Sequence, residues 1–349
     1  MHKGISIIIC TYNGRSRLAA TLASVLALRL PQGAGLELLV VDNASTDGTA
    51  EYCTEWAKER QFDLLRILHE SQPGLSHARQ CGFQAARYPY ILLCDDDNHL
   101  AEDYLQIGYR LLEAHSAIGA LGGHGKPLFE TTKPDWFERF HYSFAVGSQH
   151  HRAGKIDRQV ADVYGAGCFL RKEALEKVYK AGFTSALSDR KGASLSSGGD
   201  VELCYALQIA GYEIWYESKL TFDHYMPASR MDWPYYLKLK KAIPAQHALM
   251  LAYRCMLENT TRSVFRFRIY YFKMWYKAKL NYLGYLLKKL LGLSKSSQKE
   301  REVGAIVLPQ KFYSFFVHYS RAGDLFRQLV ALERKVDGGE EVDGGWTRS

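Results

Sequence analysis

One stretch decides the fold of this chain: Ile91-Leu92-Leu93-Cys94-Asp95-Asp96-Asp97-Asn98-His99. Four residues that suit a buried strand run directly into three adjacent aspartates, so an apolar strand carries concentrated negative charge at its carboxyl end. The three carboxylates repel one another unless a cation, basic side chains or water offsets their charge. Mg²⁺ and Mn²⁺ prefer oxygen ligands and bind through one or two carboxylates together with substrate phosphates. The stretch therefore favours a metal and phosphate site, and a solvated acidic turn is the alternative.

A β-α-β unit precedes this stretch. The segments Ile5 to Cys10 and Leu36 to Val41 are apolar runs rich in β-branched residues, and each ends in polar residues. Between them, Arg15 to Leu28 repeats apolar residues at helical spacing. Nearly continuous apolar strands that alternate with helices predict a parallel sheet covered on both faces. In such a sheet, ligands bind beyond the carboxyl ends of the strands.

Polar residues follow both of these strands. The first strand leads into Thr11-Tyr12-Asn13-Gly14, and the second leads into Asp42-Asn43-Ala44-Ser45-Thr46-Asp47-Gly48-Thr49. Asp42 is placed to accept hydrogen bonds from a base or a ribose, and Tyr12 could stack on a flat ring. For the second segment, a capped helix start is a further explanation, and both explanations can hold at once.

Another polar turn comes before the acidic stretch. After a predicted helix from Thr49 to Arg60 and a predicted strand from Leu64 to Leu68, the chain reads Gln72-Pro73-Gly74-Leu75-Ser76-His77-Ala78-Arg79-Gln80-Cys81-Gly82. This turn opens a helix, and Arg79 is its first positively charged side chain. That position is suited to contact with a nucleotide.

Four motifs, taken in order, are similar to those of the family 2 glycosyltransferases of GT-A fold. They are Cys-Thr-Tyr-Asn at 10–13, Val-Val-Asp-Asn-Ala-Ser-Thr-Asp-Gly-Thr at 40–49, Pro-Gly-Leu-Ser-His-Ala-Arg at 73–79 and Asp-Asp-Asp at 95–97. Each motif alone is a weak match, but four in order across about 90 residues form a specific signal. The resemblance implies an α/β fold of GT-A type, a Rossmann-like mixed sheet flanked by helices, with a C-terminal helical extension.

The resemblance also implies contacts with a nucleotide-sugar donor, such as a UDP- or GDP-sugar. The residues at the matching positions are Thr11, Tyr12, Asn13, Asp42, Arg79, Asp95 and Asp96. Thr11, Tyr12 and Asp42 resemble contacts to the base and ribose, while Asp95 and Asp96 resemble contacts to the ribose and to a metal-bound water. Gln80 departs from the family, which often has Asn there, so the local contacts of that turn are not carried over.

Two residues are candidates for holding a metal ion. Asp97 resembles the direct ligand of the DxD motif in this family, with Mn²⁺ or Mg²⁺ as the cofactor. His224 follows the predicted strand from Trp215 to Phe222, and in many family members a His at this place approaches the metal or the diphosphate. A neutral imidazole suits that role. A lone His is also often structural or simply at the surface, and both explanations stay open.

The catalytic base is expected at a helix start in the second half of the domain. The segment Leu195 to Leu207 contains Gly198-Gly199-Asp200, and Asp200 matches the Asp of the family's Glu-Asp motif, which acts as the base. Gly199 stands where the family has Glu, so the support of that Glu is missing. N-capping is the structural explanation of Asp200. Glu202, in the first turn, is the less favoured candidate for a base that must reach an acceptor hydroxyl.

The chain changes character at Asp232. From Asp232 to Leu293 it carries 12 Lys and Arg residues against two acidic residues, so the basicity of this chain, +8 overall, belongs to this segment. From Arg262 onward, helical spacing of about 100° per residue separates a basic arc from an apolar face. The basic arc holds Arg262, Arg266, Lys273, Lys277 and Lys288, and the apolar face holds Val264, Tyr271, Trp275, Ala278, Tyr282 and Leu286.

This amphipathic pattern has two explanations. A basic helix rich in Trp, Tyr and Leu is typical of an interfacial helix on an anionic membrane surface. The same pattern also fits a helix packed on the catalytic domain with a solvated basic face. Nucleic acid is not an expected partner, because residues 1–231 are slightly acidic and contain no RNA- or DNA-binding motif. We therefore divide the chain into a GT-A domain at 1–231, a basic aromatic helical extension at 232–335 and a flexible tail at 336–349.

Cysteine usage and the N-terminal residues predict a cytoplasmic protein. The seven cysteines are odd in number, widely spread and without a CxxC pair, which argues against a disulfide framework and against a zinc site. The first residues run straight into a strand, with no pattern of a signal peptide. The sequence contains no run of about 18 apolar residues, so no membrane-spanning helix is predicted. If the basic helix binds lipid, the protein would be peripheral on the inner face of the membrane.

The sequence thus predicts a metal-dependent inverting glycosyltransferase of the hexosyltransferase type. It would move one sugar from a nucleotide-diphosphate-sugar to a hydroxyl of a sugar, lipid-linked or protein acceptor, in cell-surface polysaccharide or glycolipid synthesis. The QxxRW-type motif of the family's processive synthases is absent, which favours one sugar per encounter. One alternative is a sugar-1-phosphate nucleotidyltransferase, which expects a glycine-rich loop with an Arg after the first strand. The other is a catalytically inactive nucleotide-sugar-binding or membrane scaffold protein, which Gly199 would allow.

Overall fold

The computed structural model describes residues 3–157, 159–187, 198–293 and 296–338. The last helix continues through Gly338, so the first three residues of the predicted tail at 336–349 are helical. The other residues of that tail, 339–349, lie outside the described residues. Residues 195–197, which precede Gly198 in the predicted helix start, also lie outside them.

Within the described ranges, strands and helices alternate through the first half of the chain and helices alone make up its end. The strands are β1 Gly4–Thr11, β2 Gly35–Asp42, β3 Leu65–His69, β4 Tyr90–Asp95, β5 Asn98–Leu100, β6 Ile118–Phe129, β7 Gly154–Lys155, β8 Cys168–Arg171 and β9 Glu213–Met226. The helices are α1 Arg15–Leu26, α2 Thr49–Glu59, α3 Leu75–Ala85, α4 Tyr104–Ala114, α5 Phe137–Phe140, α6 Lys172–Lys180, α7 Gly199–Ile209, α8 Trp233–Ala242, α9 His247–Leu257, α10 Val264–Leu290, α11 Gln298–Val317 and α12 Tyr319–Gly338. Short 3₁₀ helices occupy His141–Phe144, Ala228–Arg230 and Ile243–Gln246.

The strands of the described residues form one mixed sheet in the order β3-β2-β1-β4-β8-β6-β9-β5, and β7 pairs with β9. The first four strands in this order are parallel. β8 runs antiparallel to both β4 and β6, β9 is parallel to β6, and β5 is antiparallel to β9. The predicted α/β fold, a mixed sheet flanked by helices with a helical extension, is confirmed.

The central strands are buried on both faces, as their continuous apolar sequences predict. Ile7 and Ile8 are both fully buried, yet they project to opposite faces because side chains alternate along a strand. The Ile7 face packs against α1, α2 and α4. The Ile8 face packs against α3, α6 and α7. This sandwich fixes the strands whose carboxyl ends carry the candidate site.

The C-terminal helices share the core of the Ile8 face. Tyr253 of α9 packs on Tyr205 of α7, with ring centroids 5.9 Å apart. Phe267 of α10 stacks on Phe326 of α12 at 4.3 Å, and both rings belong to the same continuous cluster as Ile8. The extension that begins at residue 232 is therefore joined to the sheet through a common hydrophobic core.

Helix α10 departs from the simple two-faced pattern that its sequence predicts. Its Tyr271 and Ala278 are buried, as expected for a helix packed on the protein. A second apolar stripe, from Phe265 to Leu290, remains exposed, and the sequence pattern did not separate it from the first. None of the described helices is both long enough and apolar enough to cross a bilayer.

His247, at the start of α9, makes the stability of this helical region sensitive to acid. Burial, together with the charges of Lys311 and Arg254, lowers the pKa of its imidazole from the ordinary value of 6.5 to about 3. The imidazole also contacts the ring of Phe315 on α11. The folded protein therefore keeps His247 neutral, whereas the unfolded chain takes up a proton near pH 6.5.

We predict that this histidine contributes stability above about pH 6.5 that is lost as the pH falls toward 3. In urea unfolding, the wild type should lose stability between about pH 7.5 and about pH 4.5 more steeply than His247→Gln, which has no group to titrate there. Parallel stability profiles for the two proteins would show that His247 is not the acid-sensitive group.

Candidate functional site

Strand register places the first candidate residues in a row. Thr11 at the end of β1 lies opposite Asp42 at the end of β2, and Asp42 lies opposite His69 at the end of β3. On the other side of β1, Cys10 lies opposite Asp95 at the end of β4. The parallel arrangement therefore gathers polar groups from neighbouring strands at one edge of the sheet.

Asp96 is held by groups of the protein itself. Its Oδ2 accepts hydrogen bonds from Thr11 Oγ1 at 2.7 Å and from an Arg17 Nη atom at 2.7 Å, and its Oδ1 accepts one from Arg17 Nε at 3.2 Å. Thr21 Oγ1 donates to the Asp96 carbonyl at 3.0 Å. Burial and the neighbouring Asp97 raise the pKa of Asp96, while the Arg17 guanidinium lowers it. Asp96 thus ties the acidic turn to β1 and α1.

Asp97 is the most buried of the three aspartates, with 3 % of its surface exposed. The pairing of β5 with β9 puts Asn98 opposite His224, and His224 Nε2 lies 3.3 Å from Asp97 Oδ1. An Arg230 Nη atom donates to the other carboxylate oxygen at 2.9 Å. Burial lowers the pKa of the Arg230 guanidinium, but the charges of Asp97 and other nearby groups, together with the hydrogen bond to Asp97, outweigh burial, so the pKa is raised. Arg230 is therefore a permanent cation against Asp97.

Sequence reasoning identified the carboxylates but missed both of these arginines. Arg17 lies in α1 and Arg230 in the short 3₁₀ helix after β9. The signal that could have found them is physical: adjacent carboxylates require counter-charges, and each arginine follows closely after a strand that ends at this edge of the sheet. The repulsion within the acidic turn is thus offset by basic side chains.

The loops that follow β1 and β2 are bound to each other. The Asn13 backbone N–H donates to Ser45 Oγ at 3.0 Å, and Asn13 Oδ1 accepts from the Thr46 N–H at 2.8 Å. Asp42 Oδ1 accepts from the Ser45 N–H at 3.2 Å. Tyr12, by contrast, is 51 % exposed. Asn13 and Asp42 therefore brace the rim, while the Tyr12 ring is free to meet a ligand.

Asn43 is a further residue that sequence reasoning missed. Its side-chain amide donates to the carbonyls of Glu70 and Gln72 at 3.0 and 2.7 Å, and its Oδ1 accepts from the Gly74 N–H at 2.8 Å. One side chain thus fixes the turn that precedes α3. Because Arg79 lies on α3, this turn also sets where Arg79 projects.

Asp200 lies in the first turn of α7, and both of its carboxylate oxygens accept backbone hydrogen bonds. Oδ2 accepts from the Gly165 N–H at 2.8 Å and Oδ1 accepts from the Val201 N–H at 2.9 Å. A Cβ added at Gly165 would lie 2.6 Å from an Arg79 Nη atom and 3.3 Å from Asp200 Cβ. Asp200 and Arg79 therefore both approach Gly165, and a side chain at this position would require the Arg79 guanidinium to shift.

Arg79 also connects the two halves of the site. Its charge acts on the thiol of Cys10, which is the register partner of Asp95, and on the thiol of Cys168, which also feels Asp200. Burial is the main cause that raises the pKa of each thiol to about 12, and Arg79 acts to lower both. Arg79 is therefore within electrostatic range of a residue beside the acidic turn and of a residue that also feels Asp200.

Glu202 is a structural residue. It is fully buried, and its carboxylate accepts hydrogen bonds from the Ser185 hydroxyl at 2.6 Å, the Ala186 N–H at 2.8 Å and the Tyr253 hydroxyl at 2.6 Å. A fourth donor is the Leu187 N–H at 3.2 Å. These bonds join α7 to α9 and to the segment at 185–187. With no face open to a substrate, Glu202 is excluded as a competitor to Asp200.

Asp97 and His224 have side chains of types that bind divalent cations. One carboxylate and one imidazole lie 3.3 Å apart, and the buried His224 Nδ1 has no hydrogen-bond partner among the described residues. In the part of the chain that the structure describes, no group of three or more His, Cys, Asp or Glu side chains is arranged to hold a metal. Mg²⁺ and related ions are often held by one or two protein ligands together with substrate phosphates, so two ligands fit such an ion.

Comparison with known proteins decides the family. The model of glycosyl transferase family 2 matches residues 6–179, a range that includes the three strand-end loops, Arg79 and the acidic turn. This chain is a family 2 glycosyltransferase. Asp200 and His224 lie beyond the matched range, so their assignment depends on the geometry described above and on the motif resemblance.

Two curated relatives of the glycosyltransferase make bacterial polysaccharides, judging by their names. The succinoglycan biosynthesis protein ExoM of Rhizobium meliloti is 26 % identical over 254 residues, which is 71 % of this chain and 75 % of the relative. The poly-beta-1,6-N-acetyl-D-glucosamine synthase of Staphylococcus epidermidis is 23 % identical over 219 residues, 62 % of this chain. The chain spans about half the length of that second relative, with 48 % of it covered.

Two solved structures share the fold of the glycosyltransferase. The mannosyltransferase PcManGT of Pyrobaculum calidifontis, in complex with GDP-Man and Mn²⁺, has a TM-score of 0.55 at 17 % identity, covering 98 % of this chain and 89 % of that one. S. aureus TarS 1-349, in complex with UDP-GlcNAc, has a TM-score of 0.50 at 15 % identity, covering 96 % and 92 %. At these identities the likeness shows the fold, and the predicted GT-A architecture is confirmed.

We predict that the carboxylates at 200 and 202 respond in opposite ways to substitution. In the family 2 glycosyltransferase, Asp200→Asn should leave the melting temperature within about 2 °C of wild type, because the amide oxygen can still accept a backbone N–H. Sugar transfer should fall by about 10²-fold or more if Asp200 is the base that the motif resemblance implies. Differential scanning calorimetry and a transfer assay measure the two effects.

Glu202→Ala is the matched variant. It removes the acceptor of four hydrogen bonds, two of which come from the buried Leu187 N–H and the buried Tyr253 hydroxyl, and should lower the free energy of unfolding by about 3 kcal/mol. Any Glu202→Ala protein that remains folded at low temperature should still transfer sugar at a substantial rate. If Asp200→Asn transferred normally while folded Glu202→Ala did not, the two roles would be exchanged.

Proposed function

We propose that this family 2 glycosyltransferase is a metal-dependent, inverting enzyme of the hexosyltransferase type. It would move one sugar from a nucleotide-diphosphate-sugar to an acceptor hydroxyl. The observation that carries the proposal is the division of the site into two parts. Asp97 and His224 lie together at one part, and Asp200 lies at the other, fixed on Gly165 next to Arg79.

A UDP- or GDP-sugar is the proposed donor. The solved structures of similar fold contain GDP-Man in one case and UDP-GlcNAc in the other, so this fold accommodates both nucleotides. In this chain, Tyr12 offers an exposed ring for stacking on the base. Asp42 at the end of β2 and Asp95 at the end of β4 lie on either side of β1 and are the proposed contacts to the ribose. Thr11, Asn13 and Asp96 act mainly by bracing the rim through their internal hydrogen bonds.

Asp97 and His224 would hold the divalent ion, Mn²⁺ or Mg²⁺. Such an ion acts as a Lewis acid on the diphosphate and makes the nucleotide a better leaving group. Arg230 already lies against Asp97 and carries a permanent positive charge. We assign to Arg230 a second cationic contact to the diphosphate, because a guanidinium pairs with phosphate oxygens in the same two-pronged way as with a carboxylate.

Asp200 is the proposed base. Two backbone N–H groups orient its carboxylate, and each oxygen keeps a further lone pair for the proton of the acceptor hydroxyl. As that hydroxyl attacks the anomeric carbon in line with the departing diphosphate, the configuration inverts in one displacement. The proton passes to Asp200 in the same step, and the sugar is joined to the acceptor.

The acceptor is proposed to be a growing polysaccharide or glycolipid. The names of two relatives, which refer to polysaccharide synthesis, support this class, and lipid-linked and protein acceptors are the alternatives. Donor and acceptor would meet at the cytoplasmic face of a membrane. A screen of UDP- and GDP-sugars by thermal shift identifies the donor, since a ligand raises apparent stability according to its affinity and concentration.

We predict that Asp97→Asn weakens Mn²⁺ binding in the presence of a nucleoside diphosphate by about 10-fold or more, because one anionic ligand is lost. Electron paramagnetic resonance of free Mn²⁺ measures binding without depending on activity. Asp223→Asn is the matched control, since Asp223 is next to His224 but is exposed. The donor-dependent transfer rate should fall in parallel for Asp97→Asn alone.

Full transfer activity in excess EDTA, with no metal added, would overturn the metal role. Release of the nucleotide without any transfer to glycan or lipid acceptors, in wild type and Asp200→Asn alike, would instead favour a binding or scaffold protein. The configuration of the new glycosidic bond, read by proton NMR, tests inversion directly: a retained anomeric configuration would overturn Asp200 as base in a single displacement.

A further inference from the structure

We propose that helix α10 docks this protein onto a bilayer containing anionic lipid, with the helix lying in the plane of the membrane surface. The docking stripe consists of exposed apolar residues that recur every three or four positions. Its members are Phe265, Ile269, Phe272, Tyr276, Leu280, Leu283, Leu287 and Leu290. The proposal goes beyond the transferase function and does not depend on it.

The docking stripe is one continuous face of the helix. At about 100° per residue, its eight members fall within an arc of about 80°. It extends for about 38 Å along the axis. Phe272 is 61 % exposed and Leu290 is 82 % exposed. Single exposed apolar residues are ordinary on a protein surface, but an uninterrupted stripe of this length marks an interaction surface.

The described residues of the chain do not pack over the stripe. Phe267, Tyr271 and Ala278 point to the opposite side of α10 and are buried. Phe267 stacks on Phe326 of α12, and the Tyr271 hydroxyl donates to the carbonyl of Phe315 on α11 at 2.9 Å. Because α10 already has its protein-facing side, the exposed stripe is a second apolar face with no partner among the described residues.

The apolar surface continues from α10 onto α11. Trp275 has its ring centroid 5.0 Å from Phe272 and 5.5 Å from Phe316 of α11. Phe316 is 58 % exposed, and Tyr313 is 62 % exposed. Trp275 Nε1 is buried and has no hydrogen-bond acceptor among the described residues. The two helices therefore present a broad apolar platform rather than a narrow seam.

Charge decides what covers this platform. Helix α10 contains seven Lys and Arg residues and no Asp or Glu. On the helical projection, Arg266, Lys273 and Lys277 flank the stripe on one side, and Arg268 and Lys279 flank it on the other. A second copy of the chain docking through the same stripe would bring two all-positive helices together, which is repulsive. An anionic lipid surface matches both the apolar stripe and its cationic borders.

This pattern places the helix on the membrane and not across it. An interfacial helix buries its apolar face in the outer part of the acyl region while its Lys and Arg side chains reach the headgroups. The border residues of α10 lie on both sides of the stripe between Arg266 and Lys279, the N-terminal half of the helix, which matches that geometry. Arg266, Lys273 and Lys277 of the basic arc predicted from the sequence thus form one border of the stripe, and Arg268 and Lys279 form the other. Arg262 of that arc precedes α10 and pairs with Glu333 instead.

The test is co-sedimentation of the full chain with vesicles. Vesicles of phosphatidylcholine alone are compared with vesicles that contain phosphatidylglycerol, at about 0.05 M and about 0.5 M NaCl. We expect binding to the anionic vesicles, a fall in the partition coefficient of roughly 10-fold at the higher salt, and weak binding to phosphatidylcholine. Absence of sedimentation with anionic vesicles at low salt would overturn the proposal.

Variants locate the surface. The double variant Phe272→Glu with Leu283→Glu should lower the partition coefficient by about 100-fold, because both side chains leave the apolar stripe and add negative charge. Leu26→Glu is the matched control, since Leu26 is similarly exposed on α1 but lies outside the stripe. Lys273→Glu with Lys277→Glu should reduce binding and its salt dependence, with Lys58→Glu as the charge control.

Circular dichroism and melting temperature confirm that each variant is folded before its binding is compared. Equal loss of binding in Leu26→Glu would overturn the assignment to α10. An oligomer in solution that the stripe variants dissociate, together with no vesicle binding by wild type, would assign the face to a second copy of the chain and overturn the lipid proposal. None of these measurements involves sugar transfer, so their failure is separate from failure of the proposed enzyme function.

Discussion

The site depends on the neutralisation of two buried aspartates by two arginines from distant parts of the chain. Asp96 is paired with Arg17, and Asp97 is paired with Arg230. Removing carboxylates from water is costly unless charged hydrogen-bond partners replace the lost solvation. Because each pair needs a defined geometry, the ends of β1, β4 and β9 must come together before the charges are balanced. The electrostatics of the acidic turn therefore fixes the positions of the loops around it.

The fold could be predicted from the sequence because its strands are defined by local patterns. Apolar runs such as Ile5 to Cys10 can be buried on both faces only in a covered parallel sheet, and polar residues at their ends then meet at one edge. Ordered motifs added the family and the architecture. Strand ends were less well defined, since β9 runs from Glu213 to Met226 and includes His224, which the sequence pattern placed after the strand.

What could not be predicted is which polar side chains face outward. Asp96 and Asn13 were candidate ligand contacts, yet the structure turns both toward protein partners. The partner of Asp96 is Arg17, which is 79 residues earlier in the chain. The same limit applies to α7, where helical periodicity cannot distinguish Asp200, at a glycine turn, from Glu202, which the later helix α9 covers. These distinctions are set by long-range packing.

A further consequence follows from the contact between Arg230 and Asp97. Many metalloproteins need their ion in order to fold, since the ligands repel one another without it. In this chain the Arg230 guanidinium already offsets the Asp97 charge in the folded protein. If Asp97 binds a divalent ion as proposed, loading of the ion would follow folding rather than drive it, and the supply of the ion would set the activity of a protein that is already assembled.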